Sequence, residues 1–397
     1  MEDNKRQFRK GALCGALAVL IVIAALFGAR TAFSYFAEEK TVVEKQNESK
    51  LEEIKDLIDK YYLRSDELDK EELEEGLYSG YVNKIGDPYS VYYDAEQAKA
   101  LEESTAGEYG GIGAVMQQDP ESGIITITEV YKDSPAEKAG MQALDTLYKV
   151  EGKEVTGVDL SEVVQEVKGE EGTQVKLSVL RGEDQQEIEM TATRAKVEAH
   201  TVDYVMLDDN VGYIQVSEFD TVTYDQFANA LSELENQGME GLVVDLRNNP
   251  GGNLGTVCQM LDLLLPEGLI VYTEDKNGEK QEITSDAEHE FHKPMAVLVN
   301  GNSASASEIF AGAIQDYGKG TIVGTTTYGK GVVQQIFDLK DGTKVKLTIA
   351  EYFTPKGRNI DGKGITPDET VEYIYDEDNP DVDNQLNRAY EVIKQNM

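Results

Sequence analysis

At 397 residues the chain has room for two or three domains, and its 40% hydrophobic content is enough to build their cores. A formal net charge of -38 repels phosphate backbones and argues against a nucleic-acid partner; the acid is dispersed in runs such as DELDKEELEEG and YDEDNPDVDN, as on a solvated surface. Two cysteines (Cys14, Cys258) and three histidines (His200, His289, His292) fall at neither disulfide nor zinc-ligand spacing, so no metal and no cofactor is expected.

Residues 1–10 are basic, with four positive charges in KRQFRK. Gly11 to Ala29 follow without a charge; as a helix they span roughly 28 Å, close to the ~30 Å hydrocarbon core of a bilayer. With the basic flank inside, everything after Arg30 is exported, so the expectation is a single-pass cell-membrane protein with its body outside the cytoplasm. A cleaved signal peptide is the rival reading, with AFS before Tyr35 as a weak cleavage site, and would release that body.

Residues 38–100 read as a helical arm. Leu51, Ile54, Leu57, Ile58 and Tyr61 recur at helical spacing, and a second helix over Lys70–Ile85 stops at GDPYS. The arm and a C-terminal helix over 376–397, in NQLNRAYEVIKQN, leave room for a homodimer.

Residues 104–195 change character. EYGGIGAVMQQ is a glycine-rich loop running into a strand, DSPAEKAGM a turn and short helix, and DLSEVVQEVKG an amphipathic helix; TQVKLSVLRG and QQEIEMTATR alternate as half-buried strands do. Gly110, Gly111, Ile112 and Gly113 offer backbone N–H groups before an open strand, the requirement for holding a terminal carboxylate and pairing the peptide behind it. The order of glycine loop, SPAEKAG and late helix resembles a PDZ domain of the bacterial protease type. One position departs from it: in MQALDTLYKVEG, Leu144 stands where most such domains place a glycine.

Residues 200–375 alternate strand and helix. VGYIQV precedes a helix over Tyr224–Asn236, GLVVDLRNNPGG one over Leu254–Leu265, and KPMAVLVN one over Ala306–Tyr317, which argues for an α/β core with reactive loops at the strand ends. At one such end, NSASASE puts Ser303, Ser305 and Ser307 before a helix. Serines there cap orphan N–H groups, or one of them is a nucleophile presented at a positive helix end. Amide hydrolysis by serine also needs a base and oxyanion donors. No histidine lies in a glycine-framed loop, whereas Lys330 sits between Gly329 and Gly331. An ordinary lysine is neutral in only roughly one molecule in 2,500 at pH 7, and bringing it there by burial means destabilising the ammonium by roughly 4 kcal/mol. The N–H of Ala306 and of Gly251 or Gly252 are the candidate oxyanion donors.

Together DLRNNPGG, NSASASE, YGKGVVQ and KLTIAEYFTPKGRNIDGKGITPD resemble the carboxyl-terminal processing (tail-specific) proteases, over roughly Glu38 to Asp368. The resemblance implies a multidomain α/β fold: a helical arm, a PDZ-like mostly-β domain that engages substrate C-termini, and a serine protease core of the ClpP/crotonase type. By motif it makes Ser305 the nucleophile, Lys330 the base, Gln334 the residue that orients the lysine, and gives Glu308 an acidic position in the motif. The partners it implies are proteins or peptides with accessible C-termini. Two other readings stand beside it: a catalytically silent PDZ peptide-binding scaffold, against which the presence of both Ser305 and Lys330 counts, and a thioester-using hydratase on a similar core, against which the export signal counts.

Overall fold

A computed structural model of the chain describes residues 45–120, 122–182, 184–286, 288–375, 379 and 382–397. The apolar segment Gly11–Ala29 and its basic flank lie outside them; no helix among the described residues is long and apolar enough to cross a membrane. The chain divides into two compact units, residues 1–76 and 77–397. In the first, α1 (Lys45–Tyr61) exposes Leu51, Ile54, Leu57 and Tyr61 of the predicted stripe and leaves Ile58 half-buried. Helix α2 (Lys70–Asn83) ends two residues earlier than expected, ahead of Gly86 and Pro88.

In the second unit, β1 (Val91–Tyr93) leads to α3 (Ala95–Ala106), which begins in a capping box between Asp94 and Gln97 and ends at Gly107. The glycine-rich segment that follows is not all loop. Its first half is a strand, β2 (Glu108–Gly111), because its backbone pairs with β9 (Ala195–Glu198), so the chain enters and leaves the next domain through one two-stranded neck.

That domain has the elements the PDZ resemblance implies. Strands β3 (Ala114–Gln118), β4 (Ile125–Val130), β5 (Thr146–Val150), β7 (Gln174–Arg181) and β8 (Gln186–Thr193) form an antiparallel sheet in that order, with β6 (Lys153–Glu154) beside β5. Helices α4 (Pro135–Ala139) and α5 (Leu160–Val167) close it; Val163 and Val167 of α5 are buried with Ile125, Ile127, Leu147 and Val175. Strand β3 is an edge. Between it and α5 runs a groove of about 270 Å³, lined by Gly111, Ile112, Gly113, Tyr131, Val164 and Val167. The carbonyls of Ile112 and Gly113 accept from Ala136 and Tyr131 of the domain body (2.7 and 3.0 Å), while their N–H groups have no partner among the described residues. Only glycine fits at 113: φ is 73°, and a Cβ would lie 2.6 Å from that of Ser134.

Leu144 occupies the same left-handed region, with φ 70°, and is 82% exposed. The turn holds because Asp145 beside it is buried, accepts from Gln142 N–H (2.9 Å) and takes both ends of the Arg181 fork (2.6 and 2.7 Å). Leucine pays the steric cost of that conformation with no packing in return. Leu144→Gly is therefore expected to stabilise the domain by about 0.5–1 kcal/mol, the relief of strain exceeding the entropy glycine adds to the unfolded chain. Denaturant unfolding checks it; a lower midpoint would refute it.

The core is an α/β sandwich. Its sheet runs β10 (Val202–Met206), β11 (Val211–Val216), β12 (Gly241–Asp245), β15 (Met295–Val299), β16 (Thr321–Gly324) and β19 (Glu369–Thr370), parallel from β11 onward. The central strands β12 and β15 read as nearly continuous apolar runs because both of their faces are covered. Helices α6 (Thr223–Asn236), α7 (Leu254–Asp262) and α8 (Ala306–Tyr317) pack one face through Phe227, Leu234, Met260, Leu261, Phe310 and Ile314. Helix α7 ends at Asp262, three residues short of expectation. Helix α9 (Asn384–Asn396) covers the other face with Ala389 and Ile393. Arg247 holds α9 in place: it pairs with buried Asp245 (2.6 Å), with Asp383 (2.7 Å) and with Gln385 (3.1 Å). A second, antiparallel sheet joins β1, β18 (Lys344–Phe353), β13 (Gly268–Asp275) and β14 (Lys280–Ser285), with β17 (Val332–Asp338) also on β18.

Candidate active site

Three loops meet at the carboxyl end of the parallel sheet. The loop after β12 carries NNPGG, that after β15 carries NSASAS, and that after β16 carries YGKG. Asn249, fully buried, ties the first two. Its Nδ2 donates to Val216 O (2.9 Å), its Oδ1 accepts from Gly251 N–H (2.8 Å), and its carbonyl accepts from Ser307 Oγ (2.9 Å) and Ala304 N–H (3.1 Å). Ser303 Oγ donates to Leu246 O (2.8 Å) and accepts from Asn300 N–H (2.9 Å). Ser303 and Ser307 are thus buried braces between loops.

Ser305, between them, is different. Its backbone stands at φ 53°, ψ -111°, immediately before α8, a conformation that costs a residue other than glycine about 1–3 kcal/mol. Such strain persists only where the surroundings impose it, and here they do. The Ser305 N–H donates to Glu308 Oε2 (2.8 Å), and its carbonyl accepts from Tyr352 Oη (3.1 Å) as well as from Glu308 and Ile309 N–H.

Glu308 is fully buried and its four interactions are all with donors. Oε2 takes Ser305 N–H and Lys330 N–H (both 2.8 Å); Oε1 takes Thr327 Oγ1 (2.6 Å) and Gly329 N–H (2.7 Å). One carboxylate therefore fixes the backbone of Ser305 to that of Lys330. Tyr352 Oη repeats the link from the carbonyl side, donating to Lys330 O (2.7 Å) as well as to Ser305 O. Gly331 lets the lysine loop lie against the segment after β18: a Cβ there would come within 2.5 Å of Asp361 N.

Ser305, Lys330, Gln334, Ala306 and Gly252 line one cavity of about 470 Å³, together with Lys346 and Tyr352. Burial, reinforced by the charge of Lys346, lowers the Lys330 pKa from its ordinary 10.5 against the pull of Glu308 and Asp87. Its Nζ does not hydrogen-bond Ser305. It lies 4.8 Å from the ring centroid of Tyr89, and Gln334 Nε2 donates to Thr348 Oγ1 (3.3 Å) rather than to the lysine. The turn that carries Tyr89 is docked on the same strand: Ser90 Oγ accepts from Thr348 N–H (3.1 Å) and donates to Asp87 Oδ2 (2.6 Å). Sequence reasoning took GDPYS only as a helix stop and missed Tyr89, and it missed Tyr352 inside an ordinary strand pattern.

Of the two glycines proposed for the oxyanion, Gly251 spends its N–H on Asn249, whereas Gly252 lines the cavity and its N–H has no partner among the described residues. The N–H of Ala306, first in α8, is equally unengaged and sits at the positive end of the helix. Gly111, Ile112 and Gly113 line the separate PDZ groove; Gly110, expected with them, lies outside it because its backbone is taken up in the pairing of β2 with β9. The described residues contain no cluster of metal-ligating side chains.

The chain matches Peptidase family S41 over residues 210–371, a PDZ domain over 126–181, and the Activating protease CtpB N-terminal domain over 28–97. It is 36% identical to the carboxyl-terminal-processing protease of Synechocystis over 293 residues, 72% of this chain and 68% of that one. The chain belongs to the carboxyl-terminal processing proteases. The Bacillus subtilis carboxy-terminal processing protease CtpB is 37% identical over 322 residues, 80% of this chain and 66% of that one. An S41 protease of Bacteroides fragilis shares the fold at 18% identity and TM-score 0.51, covering 80% of this chain and 90% of that one. As a carboxyl-terminal processing protease with a PDZ domain, the chain is a serine-type peptidase acting on protein substrates, which sets aside the silent-scaffold and hydratase readings.

Proposed function

We propose that this peptidase is a membrane-anchored, exported endopeptidase that takes proteins by their C-terminal tails in the PDZ groove and cuts them with a Ser305–Lys330 dyad. The observation that carries the chemistry is the single buried carboxylate of Glu308, which holds a strained serine and a pKa-lowered lysine at one cavity. Neutral Lys330 leaves the face of Tyr89 and accepts the Ser305 proton as Oγ attacks the peptide carbonyl; a resting contact that tightens only with substrate is usual for catalytic bases. The oxyanion is received by the N–H groups of Ala306 and Gly252, each worth about 10²–10³ in rate. Lys330 then protonates the leaving amine and activates the water that clears the acyl-enzyme, with Gln334 orienting it. Glu308, saturated by its four donors, is a positioning residue.

The free N–H groups of Ile112 and Gly113 beside an open strand edge support tail recognition. The basic flank and uncharged Gly11–Ala29 support anchoring with the catalytic part outside the cytoplasm. The exposed stripe of α1 supports a homodimer through the arm.

The test is cleavage of an unstructured protein with an apolar C-terminus by the full chain and by Ser305→Ala. Cleavage by the native chain alone, slowed at least tenfold when the substrate's terminal carboxylate is amidated, is the expected result. Equal rates with and without the amide would remove tail recognition; equal activity of Ser305→Ala would remove the dyad.

A further inference from the structure

Beyond β11 the chain runs on through Glu218-Phe219-Asp220, alongside the oxyanion loop. Phe219 N–H donates to Gly251 O (2.9 Å), its carbonyl accepts from Asn253 N–H (2.6 Å), and its ring is fully buried. In extended backbone, neighbours of an inward residue point the other way. Glu218 and Asp220 accordingly line the cavity that holds Ser305 and Lys330.

Both carboxylates lack a partner. Neither makes an ion pair or accepts a hydrogen bond among the described residues, although Asp220 is only 5% exposed. Buried carboxylates are normally paired, because desolvation of an uncompensated charge is costly. Its effect is visible here: burial, and then the charge of Glu218, push the Asp220 carboxyl up to about 7, and burial also raises Glu218. The cations of the cavity do not relieve it. Lys330 and Lys346 sit with β17 and β18, and the charge acting on Asp220 is that of Glu218. The end of α3 adds to the same sign. Leu101, Ser104 and Thr105 line this wall, and the Thr105 carbonyl accepts from Thr221 N–H (3.3 Å), so the negative end of a twelve-residue helix faces the pair.

We propose that Glu218 and Asp220 form an acidic subsite of the catalytic cleft that takes a lysine or arginine side chain of the substrate, close to the scissile bond. The proposal rests on the cleft being the peptide site argued above. A substrate cation supplies the counter-charge that the fold withholds, and two adjacent carboxylates match an ammonium or a guanidinium fork. Phe219, hydrogen-bonded to the loop that carries Gly251 and Gly252, couples the position of the subsite to the reacting centre.

The test uses peptides of one unstructured sequence with lysine, norleucine or glutamate at a single position moved along the chain. Amidated C-termini keep the peptides from engaging the PDZ groove as tails. Affinity is read by fluorescence anisotropy on full-length Ser305→Ala, with and without Glu218→Gln plus Asp220→Asn, and cleavage is read separately on the chain with Ser305 present. At one position the lysine peptide should bind about tenfold more tightly than norleucine, the size of one charge-assisted hydrogen bond, with glutamate weakest. The ratio should fall to near one in the double amide variant. Glu218→Gln alone, at the more exposed of the two positions, should give an intermediate ratio and serves if the double variant does not fold. No preferred lysine position, or a preference that survives the amide substitutions, overturns the subsite. A lysine preference lost in the Glu218→Gln plus Asp220→Asn variant, in a chain whose serine cuts neither these peptides nor the same sequences with free C-termini, upholds the subsite and overturns the dyad instead.

Discussion

Lys330→Met is expected to lower kcat/KM by about 10⁴-fold or more and, at pH 7, to make the chain more stable. The loss follows from the role of the lysine as base: removing one member of a nucleophile–base unit costs about as much as removing the whole unit. The gain follows from linkage. Burial, with Lys346, lowers the Lys330 pKa from 10.5. Below the lowered value lysine is protonated in both folded and unfolded chains, and the folded state carries the full cost of the buried charge. As pH rises from that value to 10.5 the folded state has released its proton while the unfolded state still holds one, so stability climbs with pH across this window. Methionine has no charge to bury and keeps a favourable contact with the Tyr89 ring, while the cation–π contact it forfeits is worth only about 0.5–1 kcal/mol. The variant should therefore unfold at higher denaturant than the parent at pH 7, and the advantage should disappear near pH 10.5. The same lowered pKa sets the rising limb of kcat/KM against pH in the parent, below the range of an ordinary lysine. A variant less stable than its parent at pH 7, or a limb at 10.5, would show that the lysine is not poised as a base.

The sequence revealed the parts whose chemistry requires particular residues close together in the chain. SASAS before an apolar helix, GKG after an apolar strand and NNPGG at a third strand end each announce a loop with a special backbone, and all three do come to one cavity. What it did not reveal are residues whose meaning depends on contacts across the fold. Tyr352 alternates like any strand residue, and nothing local says that its hydroxyl bridges the Ser305 and Lys330 carbonyls. Tyr89 lies more than two hundred residues before the lysine it covers. Glu218 and Asp220 look like the polar end of a strand until Phe219 is seen to be buried between them. The glycine-rich EYGG looked like loop because glycine is a poor strand former; pairing with β9 overrides that preference. Leu144 is the converse case, where the expected glycine marks a left-handed position and the leucine occupies it regardless.

Glu308→Gln should be the most damaging conservative substitution in the core: about 3–5 kcal/mol of stability lost, and kcat reduced by 10² or more with KM changed far less. The carboxylate accepts two hydrogen bonds at each oxygen, and three of its four donors are backbone N–H groups. Glutamine replaces one acceptor by an NH₂ group that must face two donors. Turned one way, the NH₂ group orphans the N–H donors of Ser305 and Lys330, at about 1–3 kcal/mol each. Turned the other, it orphans Gly329 N–H and makes the Thr327 hydroxyl reverse from donor to acceptor, and in both the neutral amide holds its remaining donors less strongly than the carboxylate. The bond that opposes the strain at Ser305 and ties the lysine loop to α8 is thereby lost or weakened. A misplacement of about 1 Å between nucleophile and base is enough for a hundredfold loss. Thr327→Val is the milder companion. It removes one donor to Oε1 and the acceptor of Ile365 N–H (2.6 Å) but leaves the bonds to Ser305 and Lys330 in place, so it should cost stability and little kcat. Thermal unfolding and steady-state kinetics on the two variants separate the roles. Equal kcat losses in both would mean that general loosening, not the Ser305–Glu308–Lys330 tie, controls the rate, and an unaltered kcat in Glu308→Gln would show that the two loops hold their register without it.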